Sequence, residues 1–396
     1  MKLSRRIMAI EPSATLAVDA KAGELKAQGK DVISFGAGEP DFVSPPAAFA
    51  YARRAMEEGR THYPPTQGIP ALRQEISDYY KRRFDLTVEP GQIVVGCGAK
   101  PMIYETLAAI VDPGDEVVLM APTWVSYIEQ IRLVDGKVTV VDTEKTGFVP
   151  DLREVEQAIT PRTAAILVNS PSNPTGVVYG ADTLRGLGAL AVKYDLWLVW
   201  DEIYEQLVYG ENRHIHPLQL MPELAGRVVT INGVSKTYAM TGWRVGYALG
   251  PREIISKINA FQSHLTSGAT SIAQWAALGV MRESEADKQK MHEAFESRRA
   301  LICGLLAAMP RVSFPEPQGA FYVFINIKDY LNKSYKGKLL NNDIEFCAAL
   351  LEEELVAAVP GGAFFAPGYL RVSYAVAEDV IREGMARLGN FLAKIK

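Results

Sequence analysis

Four segments of the chain place reactive or polar side chains directly after short apolar runs. Together they contain a lysine amine, a carboxylate, a phenol, a carboxamide and a glycine-rich turn. In chain order the segments are Gly96-Cys-Gly-Ala-Lys100, Asn169-Ser-Pro-Ser-Asn-Pro-Thr-Gly176, Asp201-Glu-Ile-Tyr204 and Asn232-Gly-Val-Ser-Lys236. The carboxyl ends of strands in an open α/β sheet meet in one crevice, where such sheets bind ligands. If the apolar runs are strands, the four segments form one site.

These side chains match the needs of one cofactor. The Lys236 amine can form a Schiff base with an aldehyde. The Asp201 carboxylate can keep a pyridine nitrogen protonated, which makes the ring an electron sink. Tyr204 and Asn173 can hydrogen-bond a ring hydroxyl, and a glycine-rich turn before a helix offers N–H groups to a phosphate. Arg244 adds a charged fork for the same phosphate. The set predicts covalently bound pyridoxal 5'-phosphate.

Each of these signals also has a purely structural interpretation. A lone lysine after a strand is usually a solvated turn residue, Asp201 can be a helix cap, and Asn173-Pro174 is a common turn former. The turn at 96–100 is neither a P-loop nor a dinucleotide fingerprint. The occurrence of all four segments at predicted strand ends favours the functional interpretation.

Seven continuous apolar runs, most of them separated by helical patterns, indicate an α/β fold. Continuous runs are typical of strands that are buried on both faces. Strands are predicted at 93–95, 117–120, 138–141, 164–168, 196–200, 228–231 and 245–249, and helices at 99–111, 125–134, 151–159 and 182–194. Repeated β-α units predict a mostly parallel seven-stranded sheet flanked by helices.

The pattern changes after residue 284 and predicts a smaller α+β domain. It consists of a long helix, a strand, a polar loop, a second helix and a last strand, predicted at 285–309, 320–325, 332–338, 344–353 and 370–374. The expected division is a large cofactor-binding domain at 46–284 and a small domain at 285–396. An N-terminal segment, 1–45, is expected to join the small domain.

Composition excludes several classes of protein. The 396 residues carry a net charge of −4 without a basic run, so no nucleic-acid partner is expected. No apolar stretch reaches the roughly 18 residues of a membrane helix. Cys97, Cys303 and Cys347 are odd in number and far apart, which fits neither a disulfide framework nor a metal site. We expect a cytoplasmic enzyme acting on small molecules, without a metal.

Several blocks of the chain resemble those of a known family. The segment 233–246, Gly-Val-Ser-Lys-Thr-Tyr-Ala-Met-Thr-Gly-Trp-Arg-Val-Gly, resembles the lysine signature of class I aminotransferases. The other similar blocks are Gly36–Phe42, Tyr63–Ile69, 169–176, 201–204 and Leu370–Tyr374. The resemblance covers nearly the whole chain and implies a fold-type-I pyridoxal-phosphate enzyme. Within that group it is most similar to bacterial aspartate aminotransferases of the Iβ branch.

The resemblance implies a role for each matching residue on the cofactor side. Lys236 would be the Schiff-base lysine and the base at the substrate Cα, Asp201 the partner of the pyridinium nitrogen, and Tyr204 and Asn173 the partners of the ring oxygen. Trp124 would stack on the ring. The phosphate end would be formed by Gly98, Ala99, Lys100 and Arg244, with Tyr63 reaching the phosphate of the neighbouring subunit in a homodimer.

One departure from the family pattern concerns the phosphate. The family often has a serine three residues before the lysine, where this chain has Gly233. The corresponding hydroxyl contact is missing, and the sequence leaves open whether Ser235 replaces it. Cys97, beside the phosphate turn, is expected to be a small packing residue.

The substrate side follows from the same resemblance. Arg371 would bind the α-carboxylate, assisted by Asn173, Trp124 and the Gly38 backbone. Lys100 and Thr15 match positions linked to a distal carboxylate, so the expected amino donor is aspartate or glutamate and the acceptor a 2-oxo acid such as 2-oxoglutarate.

Alternatives remain for these substrate residues and for the reaction. Lys100 can serve only phosphate or solvent, and Thr15 can cap a helix at 16–28. Aromatic, prephenate-type or other neutral substrates are the second hypothesis. A lyase of the same fold and a non-enzymatic aminotransferase-like module are further ones.

Overall fold

The computed structural model describes residues 2–396. The α-helices, numbered in chain order, are α1 (Arg5–Met8), α2 (Ala14–Ala27), α3 (Pro46–Glu57), α4 (Pro70–Phe84), α5 (Ala99–Ile110), α6 (Val125–Leu133), α7 (Leu152–Gln157), α8 (Ala181–Lys193), α9 (Pro217–Leu220), α10 (Arg252–Leu265), α11 (Ser271–Glu283), α12 (Glu285–Ala307), α13 (Asp343–Glu354) and α14 (Glu378–Ala393). Within residues 2–396, none of these helices is both long and apolar enough to cross a membrane.

The strands follow the same numbering. They are β1 (Ile33–Ser34), β2 (Ile93–Gly96), β3 (Glu116–Ala121), β4 (Lys137–Asp142), β5 (Thr163–Asn169), β6 (Trp197–Asp201), β7 (Val228–Gly233), β8 (Gly246–Leu249), β9 (Tyr322–Asn326), β10 (Lys333–Tyr335), β11 (Lys338–Leu340), β12 (Val356–Ala357), β13 (Val359–Pro360) and β14 (Tyr369–Ser373).

The central sheet has seven strands in the order β2-β8-β7-β6-β5-β3-β4. Strand β8 is antiparallel to both β2 and β7, and the other pairs are parallel. This confirms the predicted mostly parallel seven-stranded sheet. The reversed direction of β8 places its first residue at the sheet edge where β2, β5, β6 and β7 end. Residues that precede β8 therefore meet residues that follow the other strands.

Burial on both faces explains why the strands read as continuous apolar runs. On β3, Val118 belongs to the hydrophobic cluster on one face of the sheet, and Val117 and Leu119 belong to the cluster on the other face. All three side chains are fully buried. Helices cover both faces, so neither side of the strand needs polar residues.

The C-terminal part of the chain contains a three-stranded antiparallel sheet, in the order β13-β14-β9. Arg371 lies in its middle strand, β14, opposite Phe324 and Val359. The N-terminal part of the chain reaches this region, since β1 pairs in parallel with β12. The division of the chain at residues 45 and 284 stays a prediction.

One local prediction was wrong. The segment predicted as a polar loop at 332–338 contains β10 and the turn of a hairpin, which β11 completes. Lys336 and Gly337 at the turn have φ values of 48° and 85°, which two-residue hairpin turns require. Tyr335 is buried, with its ring 4.6 Å from that of Phe391. Tertiary packing of Tyr335 and of the buried Leu340 stabilises a hairpin whose other residues are mostly polar.

Candidate active site

A cavity of about 220 Å³ lies at the carboxyl edge of the seven-stranded sheet. Most of the predicted site residues form its walls. They are Thr15, Gly38, Ala99, Lys100, Trp124, Asn173, Asp201, Tyr204, Lys236, Arg244 and Arg371. Gly98 lies directly beside this wall, at the start of α5. Tyr63 does not reach the cavity of its own chain, and its side chain is 93% exposed.

Asp201 is the last residue of β6 and is held in one orientation. Its Oδ2 accepts a hydrogen bond of 2.5 Å from the Tyr127 hydroxyl, and its Oδ1 accepts one of 3.1 Å from the Ile203 backbone N–H. Desolvation in its buried position raises the pKa of Asp201 to about 6, although the bond from Tyr127 lowers it. The carboxylate is therefore ionised at neutral pH and suited to face a cation.

Lys236 follows β7 and lies in a buried, positively charged surrounding. Its Nζ donates a hydrogen bond of 2.5 Å to the carbonyl oxygen of Gly38. Burial lowers the pKa of the Lys236 ammonium; together with the opposing charge of Glu39 and the repulsion from Arg371, Arg244 and Lys100, the result is a pKa of about 8. A large fraction of the amine is neutral near pH 8, as a nucleophile or a general base requires.

A cationic end of the cavity is built from the turn after β2 and the residue before β8. Gly98 has φ +104° and precedes helix α5, whose first residue is Ala99. A Cβ at Gly98 would lie 2.6 Å from Nη2 of Arg244, so the guanidinium is packed against this glycine. Nη1 of Arg244 donates to the Thr241 carbonyl at 2.8 Å. Backbone N–H groups and a guanidinium thus converge as an anion site requires.

Gly233 and Ser235 differ in the space that surrounds them. Gly233 lies opposite Gly246 in the β7–β8 pair. A Cβ at Gly233 would lie 2.9 Å from Gly246 Cα and from the Val245 carbonyl oxygen, so a side chain there requires the backbone to shift. Ser235, by contrast, is buried in the wall of the cavity. Its hydroxyl would therefore be a candidate partner for a phosphate.

Arg371 is a buried guanidinium that forms no ion pair with any acidic side chain among residues 2–396. It is 2% exposed, and Nη1 donates to Asn173 Oδ1 at 3.2 Å while Nη2 donates to the Gly36 carbonyl at 2.5 Å. Its Nε has no hydrogen-bond partner among the residues that the structure describes. The guanidinium carbon lies 4.6 Å from the centre of the Tyr322 ring. Because a buried cation without a counter-ion is costly, this arrangement favours binding of a carboxylate.

The phenol and the carboxamide lie next to this guanidinium. The Tyr204 and Tyr322 hydroxyls are 2.9 Å apart, and both rings are buried. Asn173 is oriented by its own backbone N–H, which donates to Asn169 Oδ1 at 2.9 Å. Burial, together with the neighbouring Tyr322, raises the pKa of Tyr204 well above its ordinary value, so this phenol stays protonated as a hydrogen-bond donor.

Trp124 and Lys100 form another part of the cavity wall. The Trp124 ring packs edge-on against Tyr127, with 5.2 Å between ring centroids. The Lys100 ammonium lies 4.8 Å from the centre of the Trp124 ring. Desolvation, and then the charge of Arg244, lower the pKa of Lys100. The structure thus places Lys100 on the cavity side as well as near the cationic end.

Thr15 is inside a helix and does not cap one. Helix α2 begins at Ala14, and the residue before it, Ser13, occupies the capping position. The alternative that Thr15 caps a helix at 16–28 is therefore wrong. Thr15 Oγ1 lies 2.9 Å from Ser13 Oγ, and both residues line the cavity.

Comparison with known proteins agrees with this geometry. The family described as aminotransferase class I and II matches residues 30–388. The chain belongs to this family. Among its relatives, the aspartate aminotransferase of Geobacillus stearothermophilus is 44% identical over 99% of both chains. The aspartate/prephenate aminotransferase of Thermus thermophilus is 42% identical, also over 99% of both.

The fold of the whole chain is also similar to those of solved structures. The aspartate aminotransferase from Thermus thermophilus with maleate superposes with a TM-score of 0.93 at 42% identity, covering 99% of this chain and 100% of that one. The enzyme from Rhizobium meliloti gives 0.96 at 38% identity, covering 100% of both. The protein is a pyridoxal-phosphate-dependent transaminase. Transamination is favoured over the lyase and the non-enzymatic module.

The side chains of this aminotransferase fit pyridoxal phosphate. The buried carboxylate of Asp201 is oriented by Tyr127, the amine of Lys236 has a lowered pKa, and the Gly98–Arg244 contact leaves no room for a side chain at the anion site. Asp201 would hold the ring nitrogen, Tyr204 and Asn173 the ring oxygen, and the 98–100 turn the phosphate. When bound, the group supplies an aldehyde and a pyridinium ring that withdraws electrons from the substrate Cα.

The protein itself contributes orientation and proton transfer. The Lys236 amine, with its lowered pKa, would move the proton at the substrate Cα. Asp201 would supply a negative charge to the ring nitrogen, because the hydrogen bond from Tyr127 stabilises its ionised form. Arg371 would orient the substrate carboxylate and thereby the bond at Cα that is to break.

Four residues of this site were missed by the sequence interpretation. Tyr127 lies in the first turn of α6, three residues after Trp124, which occupies the N-cap position of that helix. Tyr322 lies on β9 beside Arg371, and Asn169 ends β5. Asp19 follows Thr15 by one helical turn in α2. The spacing of Tyr127 from Trp124 and of Asp19 from Thr15 is visible in the sequence. Tyr322, by contrast, is brought to the site by tertiary structure alone.

Proposed function

We propose that this aminotransferase transfers the amino group of aspartate or glutamate to a 2-oxo acid such as 2-oxoglutarate. The observation that carries the proposal is that the cavity wall holds, besides Lys236 and Arg244 on the cofactor side, two further cations that form no ion pair within residues 2–396, Arg371 and Lys100. A dicarboxylic amino acid needs one cationic partner at each end, since a buried carboxylate without a partner is costly. The two cations supply these partners.

The names of the relatives support this substrate class. Enzymes from Geobacillus stearothermophilus and Bacillus subtilis, each 44% identical to this chain, are aspartate aminotransferases. The Thermus thermophilus structure with a TM-score of 0.93 contains maleate, which is a dicarboxylate. Similarity over the full length makes the same substrate class the natural proposal here.

Thr15 and Lys100 are proposed to bind the distal carboxylate. Both line the cavity, and Lys100 lies over the Trp124 ring rather than against an acidic side chain. An ammonium on a flexible stem is a point charge and lacks the fixed fork of a guanidinium. Discrimination against neutral side chains should therefore be moderate.

A second candidate substrate follows from this loose recognition. Relatives at 42% and 43% identity, from Thermus thermophilus and Cereibacter sphaeroides, are aspartate/prephenate aminotransferases. A cavity wall made of the Trp124 ring and a mobile lysine can accept a ring-bearing substrate with a carboxylate. We therefore include prephenate-type acceptors as the second proposal.

The test measures kcat/KM for aspartate, glutamate, phenylalanine and alanine in the wild type and in Lys100→Ala. We expect the wild type to prefer the acidic donors. Loss of a charged hydrogen-bonding partner should reduce kcat/KM for those donors by about tenfold or more, with little effect on alanine. Lys100→Arg, which retains the charge, is the matched control. Equal losses for all four donors, or a wild-type preference for alanine or phenylalanine, would contradict the proposal.

We also propose that the enzyme is a homodimer, with Tyr63 of each subunit completing the phosphate site of the other. Tyr63 is 93% exposed in the single chain, and Phe49 and Met56 on α3 are 45% and 54% exposed. A tyrosine this exposed has no role in its own cavity. The free cysteines agree with a reducing cytoplasm as the compartment.

Subunit mixing tests the shared site. Tyr63→Ala and Lys236→Ala homodimers are each expected to have low activity, whereas a mixed dimer regains one site with both native residues. Recovery of activity after unfolding and refolding the two variants together is the expected outcome. Mixing without recovery, or an active monomer in sedimentation, would exclude the shared site.

A further inference from the structure

Asp19 is an acidic side chain in the substrate-side wall that has no place in cofactor binding. It lies on α2 one turn after Thr15, so the two residues share a helix face, and both line the cavity. The cavity lining contains four cations, Lys100, Lys236, Arg244 and Arg371, but only two carboxylates, Asp19 and Asp201. Asp201 accepts a hydrogen bond from Tyr127. The second carboxylate has a different environment.

A chain of hydrogen bonds connects Asp19 to Arg371. The Ser34 hydroxyl donates to Asp19 Oδ1 at 3.1 Å and accepts from the Gly36 N–H at 3.3 Å. The Gly36 carbonyl in turn accepts from Nη2 of Arg371 at 2.5 Å. Asp19, Ser34, Gly36 and Arg371 thus form a continuous chain of contacts that links helix α2, strand β1 with the residues that follow it, and strand β14. Each member orients the next.

The backbone of Gly36 lies very close to the Asp19 carboxylate. A Cβ at Gly36 would lie 2.6 Å from Asp19 Oδ1 and 3.2 Å from Val18 Cγ1. The Asp19 carboxylate therefore packs against the backbone of Gly36. The carbonyl of the same glycine accepts the hydrogen bond from Nη2 of Arg371. In the described part of the chain, Asp19 forms no ion pair with Arg371, so it influences the guanidinium by position and by charge at a distance.

We propose that Asp19 is a positioning residue for the α-carboxylate site. Through Ser34 and Gly36 it fixes the carbonyl that orients Arg371, and its negative charge weakens the affinity of that site for every substrate carboxylate. The proposal rests on the role of Arg371 as the α-carboxylate partner. It concerns a group that all amino acids share, so it is independent of which donor the enzyme prefers.

The surroundings of Asp19 make its charge sensitive to pH. Burial raises its pKa, the bond from Ser34 and the charges of Arg371 on β14 and Lys26 on α2 lower it, and Glu39 raises it. A raised pKa means that the neutral form is reached at a higher pH than in a free aspartate. Substrate carboxylates should bind more tightly as pH falls through that pKa, because the repulsion is then removed.

Two substitutions separate the charge from the hydrogen-bond chain. Asp19→Asn removes the charge and retains an oxygen that accepts from Ser34, so KM for alanine and for aspartate should both fall by roughly three- to tenfold at pH 8. Ser34→Ala breaks the chain and retains the charge, so KM for both donors should rise. In each case KM changes more than kcat, and the Asp19→Asn profile of KM against pH is flatter than that of the wild type.

Glu24→Gln provides the matched control. Glu24 lies on the same helix, is exposed and pairs with Lys21 at 3.2 Å, so the substitution makes the same charge change away from the cavity. Its KM should equal that of the wild type. Equal KM values for Asp19→Asn and wild type at all pH values, or changes in the same direction for Asp19→Asn and Ser34→Ala, would overturn the proposal. If the enzyme does not prefer acidic donors, the expected change in KM for alanine is unaffected. Failure of the acidic-substrate proposal can therefore be told apart from failure of the Asp19 proposal.

Discussion

The two walls of the cavity are built in different ways. The sheet wall consists of residues at strand ends, and Asp201, Tyr204 and Asn173 are 2%, 4% and 5% exposed. The helix wall is the start of α2, where Leu16 is 65% exposed and the helix buries only Ala22 and Leu25. The first wall is held by a core on both faces of a sheet, and the second by few contacts.

This difference separates two tasks. Chemistry at the cofactor needs groups fixed within a fraction of an ångström, which a packed sheet provides. Substrate exchange needs a wall that can move, and segments with few buried apolar contacts are those that open at low cost in free energy. Substitutions in the sheet wall should therefore impair the reaction itself, whereas substitutions in the helix wall should mainly change KM.

Lys236→Ala should show the largest effect. It removes both the covalent attachment of the cofactor and the base at Cα, and loss of a general base alone reduces turnover by roughly 10² to 10⁴-fold. Steady-state turnover and mass spectrometry after borohydride reduction measure the two losses. Lys236→Arg, which retains a cation without a nucleophilic amine, should be as inactive. Near-normal turnover in either variant would refute the assignment.

Asp201→Ala should follow, with cofactor still bound but poorly activated. A carboxylate beside the ring nitrogen stabilises its protonated form, and losing such an electrostatic group in a buried site reduces kcat by roughly 10² to 10³-fold. Tyr127→Phe removes only the 2.5 Å hydrogen bond and should lower kcat less. If Asp201→Ala retains the wild-type kcat, Asp201 has no role in activating the cofactor and is only the structural end of strand β6.

Thr15→Ala should have the smallest effect and should change KM rather than kcat. Loss of one hydroxyl contact corresponds to roughly a two- to tenfold rise in KM for aspartate. Thr15→Ser retains the hydroxyl and should behave as the wild type. A fall in kcat as large as that of Asp201→Ala would mean that the helix wall is as rigid as the sheet wall, and the comparison would fail.

The sequence by itself determined the chemical character of the site. Lys236, Asp201 and the 98–100 turn were predicted because each follows an apolar run, and the ends of parallel strands share one edge whatever the details of packing. The same regularity allowed the seven strands to be predicted with small errors at their ends. The hairpin at 333–340 was missed because its buried side chains, Tyr335 and Leu340, pack against residues that are distant in the sequence, such as Phe391.

Only the tertiary structure decided which groups surround these residues. Tyr127 bonds Asp201 from 74 positions away, Arg371 bonds Asn173 from 198 positions away, and Gly36 holds Arg371 across 335 positions. No local pattern encodes such contacts, because they depend on how the sheets and helices pack. The charge of Asp19 is visible in the sequence, but its contact with Gly36 exists only because α2 and β1 fold against the strand that carries Arg371.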